Sequence, residues 1–235
     1  DPAGSEFAKF DAQDYEEHIE ERSEEWTYSK FPFLRKVGWK GFTDGKDNGA
    51  YRVGPLGRLN AAEVMATPLA NKEYQELFSL LGRPVHSTLA FHWARLIELL
   101  YAAERAVELA SDPEITSPDV RNMPGEPGRG VGIVEAARGT LVHDYQLNSD
   151  ALVERVNMIV ATTNNYPSIC MSVRDAAKGL IHGGKVDERV LNKVEMAFRA
   201  YDPCFGCATH FAVGQMPLDV KVYDHRKGLL CQLGR

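Results

Sequence analysis

Apolar side chains recur every three or four positions through the middle of the chain, and this spacing predicts α-helices. The longest predicted helix covers residues 87–110, with a single apolar stripe along one side. The stripe consists of Leu89, Trp93, Leu96, Leu100, Ala103 and Val107. Shorter helices are predicted over 71–81, which Gly82 and Pro84 end, over 169–181, and from Asp187 to just before Pro203.

Alternating and β-branched segments predict strands on the C-terminal side of a loop rich in glycine and proline, residues 111–132. The predicted strands are 132–135, 139–145, 153–163 (a strand or the entry to a loop) and 216–230 as an edge strand. The resulting fold class is α+β and predominantly α-helical.

The N-terminal region is mixed in pattern. An acidic helix is predicted over 14–26, and a hairpin is predicted where the turn-forming residues 44–49 separate Gly41-Phe42 from Tyr51-Arg52-Val53. We therefore divide the chain into an entry region of loops and short strands (1–60), a helical core (61–210) and a C-terminal tail (211–235).

Composition restricts the class of protein. The chain has 235 residues, of which 44% are hydrophobic and 26% charged, as in soluble globular proteins and unlike disordered ones. No run approaches the roughly 18 consecutive apolar residues of a membrane span. The net charge of −6 gives no electrostatic reason to expect a nucleic acid as partner. The chain begins with Asp1 and shows no signal peptide, so we expect a cytoplasmic protein that is processed or is part of a longer one.

The densest group of potential metal ligands is Cys204, Cys207 and His210, which recur every third residue. Asp202 is a good helix N-cap and Pro203 a good first helical residue, so the three side chains are expected along one side of a helix. A helix N-terminus lowers the pKa of a thiol from about 8.5 to between roughly 3.5 and 7.5, which favours the metal-binding thiolate. Two thiolates and an imidazole suit nickel, iron or zinc rather than calcium or magnesium.

The spacing of this cysteine pair leaves several interpretations open. A zinc site would need two more ligands, and Cys170 and Cys231 do not form a second pair. A thioredoxin-type motif would need a strand–helix setting in a βαβ unit. Two buried thiols that pack the start of a helix are a third interpretation.

Several collinear segments together closely resemble the large subunit of nickel–iron hydrogenases. They are the C-terminal signature from Tyr201 to His210, Tyr51-Arg52-Val53-Gly54-Pro55-Leu56, Phe91-His92-Trp93-Ala94-Arg95-Leu96-Ile97-Glu98, residues 132–139 and Val160-Ala161-Thr162-Thr163-Asn164-Asn165. The chain is most similar to the cytoplasmic methanogen-type branch, which contains viologen-reducing (deazaflavin-non-reducing) and deazaflavin-reducing enzymes. Several motifs in one order are far more specific than the cysteine pair alone.

This resemblance implies a role for individual residues. Cys204 matches a terminal nickel ligand, Cys207 a ligand that bridges nickel and iron, and His210 a ligand of a separate magnesium or iron ion. Arg138 matches the arginine above the open substrate site and the diatomic ligands of the iron. Thr162 and Thr163 match the segment that binds a cyanide on iron. The implied cofactor is a nickel–iron centre whose iron carries two cyanides and one CO.

The resemblance covers only half of the family's ligand set. The family binds its centre through two Cys-x-x-Cys pairs, and this chain has no cysteine before Cys170. It therefore resembles the C-terminal half of a large subunit, and the N-terminal half is an expected partner, as a separate chain or as further residues. Ala137 stands where the family has proline before the arginine. Residues 211–235 resemble a tail that the family's protease removes after nickel insertion.

The implied reaction is the reversible oxidation of dihydrogen, with electrons leaving through an iron–sulfur small subunit. Heterodisulfide reductase or a deazaflavin-binding subunit is an expected further acceptor. Two alternatives are a hydrogenase-like structural or electron-transfer subunit without a functional centre, and a small zinc- or iron-binding module. The presence of Cys204, Cys207 and His210 argues against the first. The absence of a second ligand pair argues against the other.

Overall fold

A computed structural model of the chain describes residues 1–27, 29–209, 219–224, 226 and 228–234. The helices are α1 (Tyr15–His18), α2 (Pro55–Ala61), α3 (Pro68–Leu81), α4 (Ala90–Ala110), α5 (Ala161–Asn164), α6 (Tyr166–Leu180), α7 (Glu188–Arg199) and α8 (Phe205–Thr209), with short 3-10 turns at Ala12–Asp14 and Pro113–Thr116. The strands are β1 (Ile19–Ser23), β2 (Lys30–Leu34), β3 (Arg129–Ala136), β4 (Gly139–Leu147), β5 (Val153–Ile159), β6 (Asp219–Tyr223) and β7 (Leu229–Gly234). The α+β class with helices as the larger part is confirmed.

The long helix α4 is where predicted, and its predicted apolar stripe is buried only in part, since Trp93 and Leu100 pack against the main core. Leu89 is 55% exposed, Leu96 63% and Val107 70%. The buried side instead consists of Ala90, Phe91, Ala94 and Ile97, which pack in the main core with residues of α2 and α3. Because α4 carries apolar residues on two sides, periodicity predicts the helix but does not tell which of the two sides is buried against the rest of this chain.

Tertiary pairing overrides the local pattern in the N-terminal region. The predicted helix over 14–26 is wrong: only α1 is helical, and the acidic stretch continues as β1, antiparallel to β2. The predicted hairpin around residues 44–49 is also wrong, because neither flanking segment forms a strand. The Asn48 side chain instead donates to the carbonyl of Gly41 (2.9 Å) and accepts from the backbone N–H of Lys40 (3.3 Å). This amide therefore satisfies backbone groups that a strand ladder would otherwise pair.

Most of the remaining elements follow the predicted pattern, but the single edge strand predicted over 216–230 is wrong. Its described part contains the strand β6 and the start of β7, which pair as a hairpin, and residues 216–218 lie outside the described residues. Strands β3, β4 and β5 form one antiparallel sheet in that order, and β6 pairs with β7. The segment predicted as strand or loop entry at 153–163 is the strand β5, which continues into the short helix α5. The turn after β3 and the helix α5, which follows β5, lie at the same end of this sheet. This arrangement brings the segments of the candidate site together.

One main hydrophobic core joins elements on both sides of residue 60. It contains Phe31 and Leu56 together with Leu77 of α3, Ile97 of α4 and Ile169 of α6. The three-part division at residues 60 and 210 stays a prediction. Among the described residues, none of the helices has the length and apolar character that crossing a membrane requires.

A buried carboxylate ties the N-terminal region to the three-stranded sheet. Asp144 is 1% exposed and accepts hydrogen bonds from Arg129 Nε (3.0 Å) and Nη2 (2.9 Å) and from Tyr15 Oη (3.1 Å). The hydrogen-bonded guanidinium of Arg129 lowers the pKa of Asp144 below its ordinary value of 3.8. A lowered folded-state pKa stabilises the fold above the unfolded pKa, and this contribution is lost as pH falls through the folded pKa.

We therefore expect Asp144→Asn to lower the free energy of unfolding by about 2 kcal/mol at pH 7, because the charged hydrogen bonds are lost. The difference from wild type should begin to shrink as pH falls below about 4, the pKa of an unfolded aspartate, and should disappear once pH has fallen through the lower folded-state pKa of Asp144. Urea unfolding at several pH values measures both effects. Glu20→Gln is the control, since Glu20 makes only an exposed pair with Arg35. A loss of stability that does not change with pH would contradict the prediction.

Candidate metal centre

Three segments that are distant in sequence meet at the candidate site. They are the turn Ala137-Arg138 between β3 and β4, the helix α5, and the loop that precedes α8. Arg138 Nε donates to the backbone carbonyl of Asp202 (2.7 Å) and lies 3.2 Å from the carboxylate of the same residue. The backbone N–H of Cys204 donates to Thr162 Oγ1 (3.1 Å). One contact thus joins Cys204 directly to Thr162, and the other holds Arg138 against Asp202, two residues before Cys204.

The two cysteines of the signature face each other. Their sulfurs are joined as a disulfide, and their Cα atoms lie 5.4 Å apart. Cys204 is partly buried, whereas Cys207 is exposed in this chain. Both sulfurs would have to be reduced thiolates to bind a metal, because the thiolate is the ligand form of cysteine.

The predicted helix start at Asp202 is wrong. Asp202 has a backbone φ of +51°, which is left-handed, and α8 begins only at Phe205. Cys204 therefore lies just before the helix, and its carbonyl accepts the hydrogen bond from Ala208 N (3.2 Å). The left-handed conformation turns the Asp202 carbonyl toward Arg138, so the residue expected as a cap instead anchors the arginine.

The two threonines of α5 are almost fully buried beside this loop. Thr162 is 2% and Thr163 is 5% exposed. Thr163 Oγ1 donates to the carbonyl of Ala208 (3.5 Å), on the helix that carries Cys207. A hydroxyl accepts and donates at once, so Thr162 can accept from Cys204 and still direct its proton at a ligand in the site.

Two buried asparagines that sequence reasoning did not single out fasten α5 in place. Asn164 Nδ2 donates to the carbonyl of Thr140 (2.7 Å), and its Oδ1 accepts a short hydrogen bond from Tyr51 Oη. Asn165 Oδ1 accepts from the backbone N–H of Val53 (2.9 Å). Burial raises the pKa of Tyr51 above its ordinary value of 10.0, so its hydroxyl stays a donor. The resemblance covers both asparagines, but a single sequence carries no signal that they are buried.

Two glycines allow the segment 51–54 to approach the arginine turn. Gly54 has a φ of +99°, and a Cβ there would lie 2.9 Å from the carbonyl oxygen of Arg138. Gly139 has a φ of +142°, and a Cβ there would collide with the side chain of Val53. Only glycine fits this close backbone approach without strain.

The chemistry of the donor set fits half of a nickel–iron site. Cys204 and Cys207 supply two soft sulfur ligands at one point, with an arginine and a threonine hydroxyl beside them. Within the described ranges no group of three or more His, Cys, Asp or Glu side chains could hold a metal ion. His210, the third predicted ligand, lies outside those ranges.

Comparison with known proteins identifies close relatives. The profile of the nickel-dependent hydrogenase family matches residues 11–210. The chain is 47% identical to an iron-sulfur subunit of the F420-non-reducing hydrogenase of Archaeoglobus profundus, over 98% of this chain and 48% of that protein. It is 40% identical to the beta subunit of the NAD-reducing hydrogenase HoxS of Cupriavidus necator, over 97% of this chain and 46% of the relative.

A solved structure shares the fold. The NAD+-reducing nickel–iron hydrogenase in its H2-reduced state superposes with a TM-score of 0.78 and 38% sequence identity, over 86% of this chain and 43% of the solved chain. The chain thus spans about half the length of the relatives that it matches.

Proposed function

Because the chain belongs to the nickel-dependent hydrogenase family, we propose that it forms the C-terminal half of a large subunit that oxidises dihydrogen reversibly. The observation that carries this proposal is the convergence of Arg138, Thr162 and Cys204 from three separate segments. An unrelated metal site has no reason to place a fixed guanidinium and a buried hydroxyl beside a thiol pair. A structural subunit without a centre has no need of that arrangement either.

In this proposal Cys204 and Cys207 hold the metals, and His210 holds a separate magnesium or iron ion. When bound, the nickel–iron centre supplies the Lewis acidity and redox capacity for heterolytic cleavage of dihydrogen. Arg138 holds a permanent positive charge over the substrate site and orients the polarised molecule. In this proposal the segment of Thr162 and Thr163 would bind a cyanide on iron. The Thr162 hydroxyl accepts from Cys204 N and could donate its own proton to the cyanide. The Thr163 hydroxyl could do so only after it releases the carbonyl of Ala208.

We assign the Sγ atom of Cys204 as the first acceptor of a proton from dihydrogen. Each dihydrogen yields two protons and two electrons, and a thiolate is a suitable base beside the reacting atoms. The electrons pass to an iron–sulfur small subunit. The named relatives differ in acceptor, since one set is described as F420-non-reducing and another as NAD-reducing. We propose that partner subunits determine the acceptor, with heterodisulfide reductase or a deazaflavin-binding subunit as candidates, and that the complex is cytoplasmic.

Metal analysis of the complex isolated from its native cells tests this function. We expect nickel and iron by mass spectrometry, together with sharp infrared bands of iron-bound CO and cyanide. These results would also require a partner that carries the missing cysteine pair. A complex without nickel would contradict the catalytic proposal, and an equimolar zinc content would favour the zinc-module alternative.

The exposed face of α4 supports the proposal that another half of the subunit packs here. Seven positions on this face follow a strict three–four spacing, all seven are exposed, and none is Asp, Glu, Lys or Arg. They are Leu89, His92, Leu96, Leu99, Ala103, Ala106 and Ala110. This spacing is that of a helix–helix seam, and the alanines at its C-terminal end permit a close backbone approach. The relatives are about twice as long as this chain. We therefore propose that a helix from the N-terminal half of the same large subunit covers the seam.

Cysteine labelling in the full-length large subunit tests this assignment. Leu96→Cys lies in the seam, and the matched control Leu109→Cys lies on another side of α4 with a similar exposure of 51%. We expect maleimide to label the Leu96→Cys variant at least about tenfold more slowly than the Leu109→Cys variant, because the helix packed on the seam must move away before the thiol can react. Peptide mass spectrometry separates these sites from the native cysteines. Equal labelling rates, or protection that depends on protein concentration as with a second copy, would contradict the proposal.

A further inference from the structure

We propose that Arg58 of α2 is a positioning residue that fixes the turn bearing Arg138. This inference rests on the proposed function, in which Arg138 lies over the substrate site. Arg58 Nη1 donates to the carbonyl of Ala136 (2.8 Å), and Nη2 donates to the carbonyl of Ala137 (3.1 Å). These two carbonyls immediately precede Arg138, so Arg58 contacts the backbone that sets the direction of the catalytic side chain.

The guanidinium of Arg58 is itself held rigidly from two sides. Its Nε and Nη2 atoms donate to the two carboxylate oxygens of Glu98 on α4, at 2.6 and 2.7 Å. Its Nη1 atom also donates to Glu135 on β3 (2.9 Å). Together with the two carbonyls, these contacts engage all five N–H donors of the side chain, which is 23% exposed. A bidentate arginine–carboxylate pair specifies orientation as well as charge.

The turn needs such support because its backbone conformation is not one that two-residue hairpins favour. Ala136 pairs with Gly139, so only Ala137 and Arg138 connect β3 to β4. Two-residue hairpin loops favour types with a positive φ at the central positions. Ala137 and Arg138 both have negative φ, since the positive values outside glycine occur at Ala151 and Asp202 in the described chain. Alanine at 137 also lacks the ring with which proline would restrict the backbone.

The two ends of Arg138 are consequently fixed by different elements. Arg58 holds the backbone before it from the side of α2 and α4, and Asp202 holds the Nε atom from the cysteine loop. Arg58 pairs with the two carboxylates of Glu98 and Glu135, whereas Arg138 pairs with the single carboxylate of Asp202. An ion pair that served only to join α2 to α4 would not require the two contacts to the turn.

The test is Arg58→Lys in the assembled hydrogenase, which keeps the charge but cannot bridge both carbonyls and Glu98 at once. We expect kcat/KM for dihydrogen oxidation to fall at least about tenfold, as for a misplaced positioning group. We also expect backbone amides of residues 136–140 to exchange hydrogen faster, with little change in the melting temperature. Arg174→Lys is the matched control: Arg174 is 28% exposed, pairs with Asp44 and donates to a backbone carbonyl away from the turn.

A second substitution separates positioning from general structural support. Ala137→Pro restricts the turn directly, and residue 136 in a strand is compatible with a following proline. We expect the double variant Arg58→Lys/Ala137→Pro to recover at least about half of the activity that Arg58→Lys loses. It should also recover about half of the lost protection of residues 136–140 against hydrogen exchange, because proline limits the same backbone freedom. Normal activity and normal exchange in Arg58→Lys would overturn the proposal. Faster exchange throughout the protein without recovery by proline would overturn it too, because Arg58 would then serve stability alone.

Arg138→Lys distinguishes failure of this inference from failure of the proposed function. Full activity in Arg138→Lys would overturn the role of Arg138, and with it the function assigned to the turn. Impaired Arg138→Lys beside normal Arg58→Lys would overturn only the positioning role of Arg58.

Discussion

Replacing Cys204 or Cys207 by serine is expected to remove nickel from the assembled hydrogenase and to lower dihydrogen oxidation below about one thousandth of wild type, because ligands of one centre act as a unit. A serine hydroxyl is a harder donor than a thiolate and suits nickel poorly. The backbone at this position is held independently by the contact between Cys204 N and Thr162 Oγ1. The substitution therefore changes the donor atom while the loop keeps its place.

Nickel per large subunit, measured by mass spectrometry, and dihydrogen uptake together check this prediction. Cys170→Ser is the control, because Cys170 packs against the main core and burial raises the pKa of its thiol. A raised pKa keeps that thiol protonated, which makes it a poor metal ligand. Retention of stoichiometric nickel in Cys204→Ser would contradict the ligand assignment.

The second large effect is expected for Arg138→Lys, with kcat/KM for dihydrogen oxidation lowered by about 10²–10³-fold, the usual loss when an oriented charge is removed from a reacting centre. Lysine keeps the positive charge but presents it as a flexible point charge rather than a planar fork. Both contacts of Arg138 with Asp202, to its carbonyl and to its carboxylate, are made by Nε, an atom that lysine does not have. We expect nickel content to stay at the wild-type level, because Arg138 is not a ligand.

Steady-state kinetics with nickel quantified in the same samples measures this effect. Arg35→Lys provides the control, since Arg35 makes an exposed ion pair with Glu20 and contacts none of the three segments that form the site. Loss of nickel in parallel with activity in Arg138→Lys would mean that the arginine supports assembly of the site, contrary to the prediction.

Local sequence signals predicted most elements but not which surfaces they bury. The helix α4 and the strands β3 and β4 follow directly from their periodicity. The exposed face of α4 could not be predicted, since both of its apolar sides satisfy the same pattern and the choice depends on neighbours. The acidic run at 14–26 is typical of a helix, but pairing with β2, which buries Phe31 and Phe33, outweighs that local preference.

The candidate site shows the same division between local motifs and their surroundings. Arg138, Thr162 and Cys204 could be selected from motifs, and the structure brings them together. The residues that support them, Asn165 and Arg58, could not be selected from the sequence. Asn165 contacts a residue 112 positions away, and Arg58 contacts residues 77 to 79 positions away. Polar residues with such distant partners have no periodic signature. The predicted roles of all six site residues toward the metals and the substrate stay predictions.

The long sequence separations within the site have a consequence for folding kinetics. The contact of Cys204 with Thr162 spans 42 residues, that of Arg138 with Asp202 spans 64, and that of Val53 with Asn165 spans 112. Contacts that close long loops form late, because the chain loses entropy before they are made. We therefore expect α4 and the β3–β4 hairpin to form early, while the loop with both cysteines docks last. A newly synthesised chain would thus pass through a stage in which its thiols are accessible before the site closes around them.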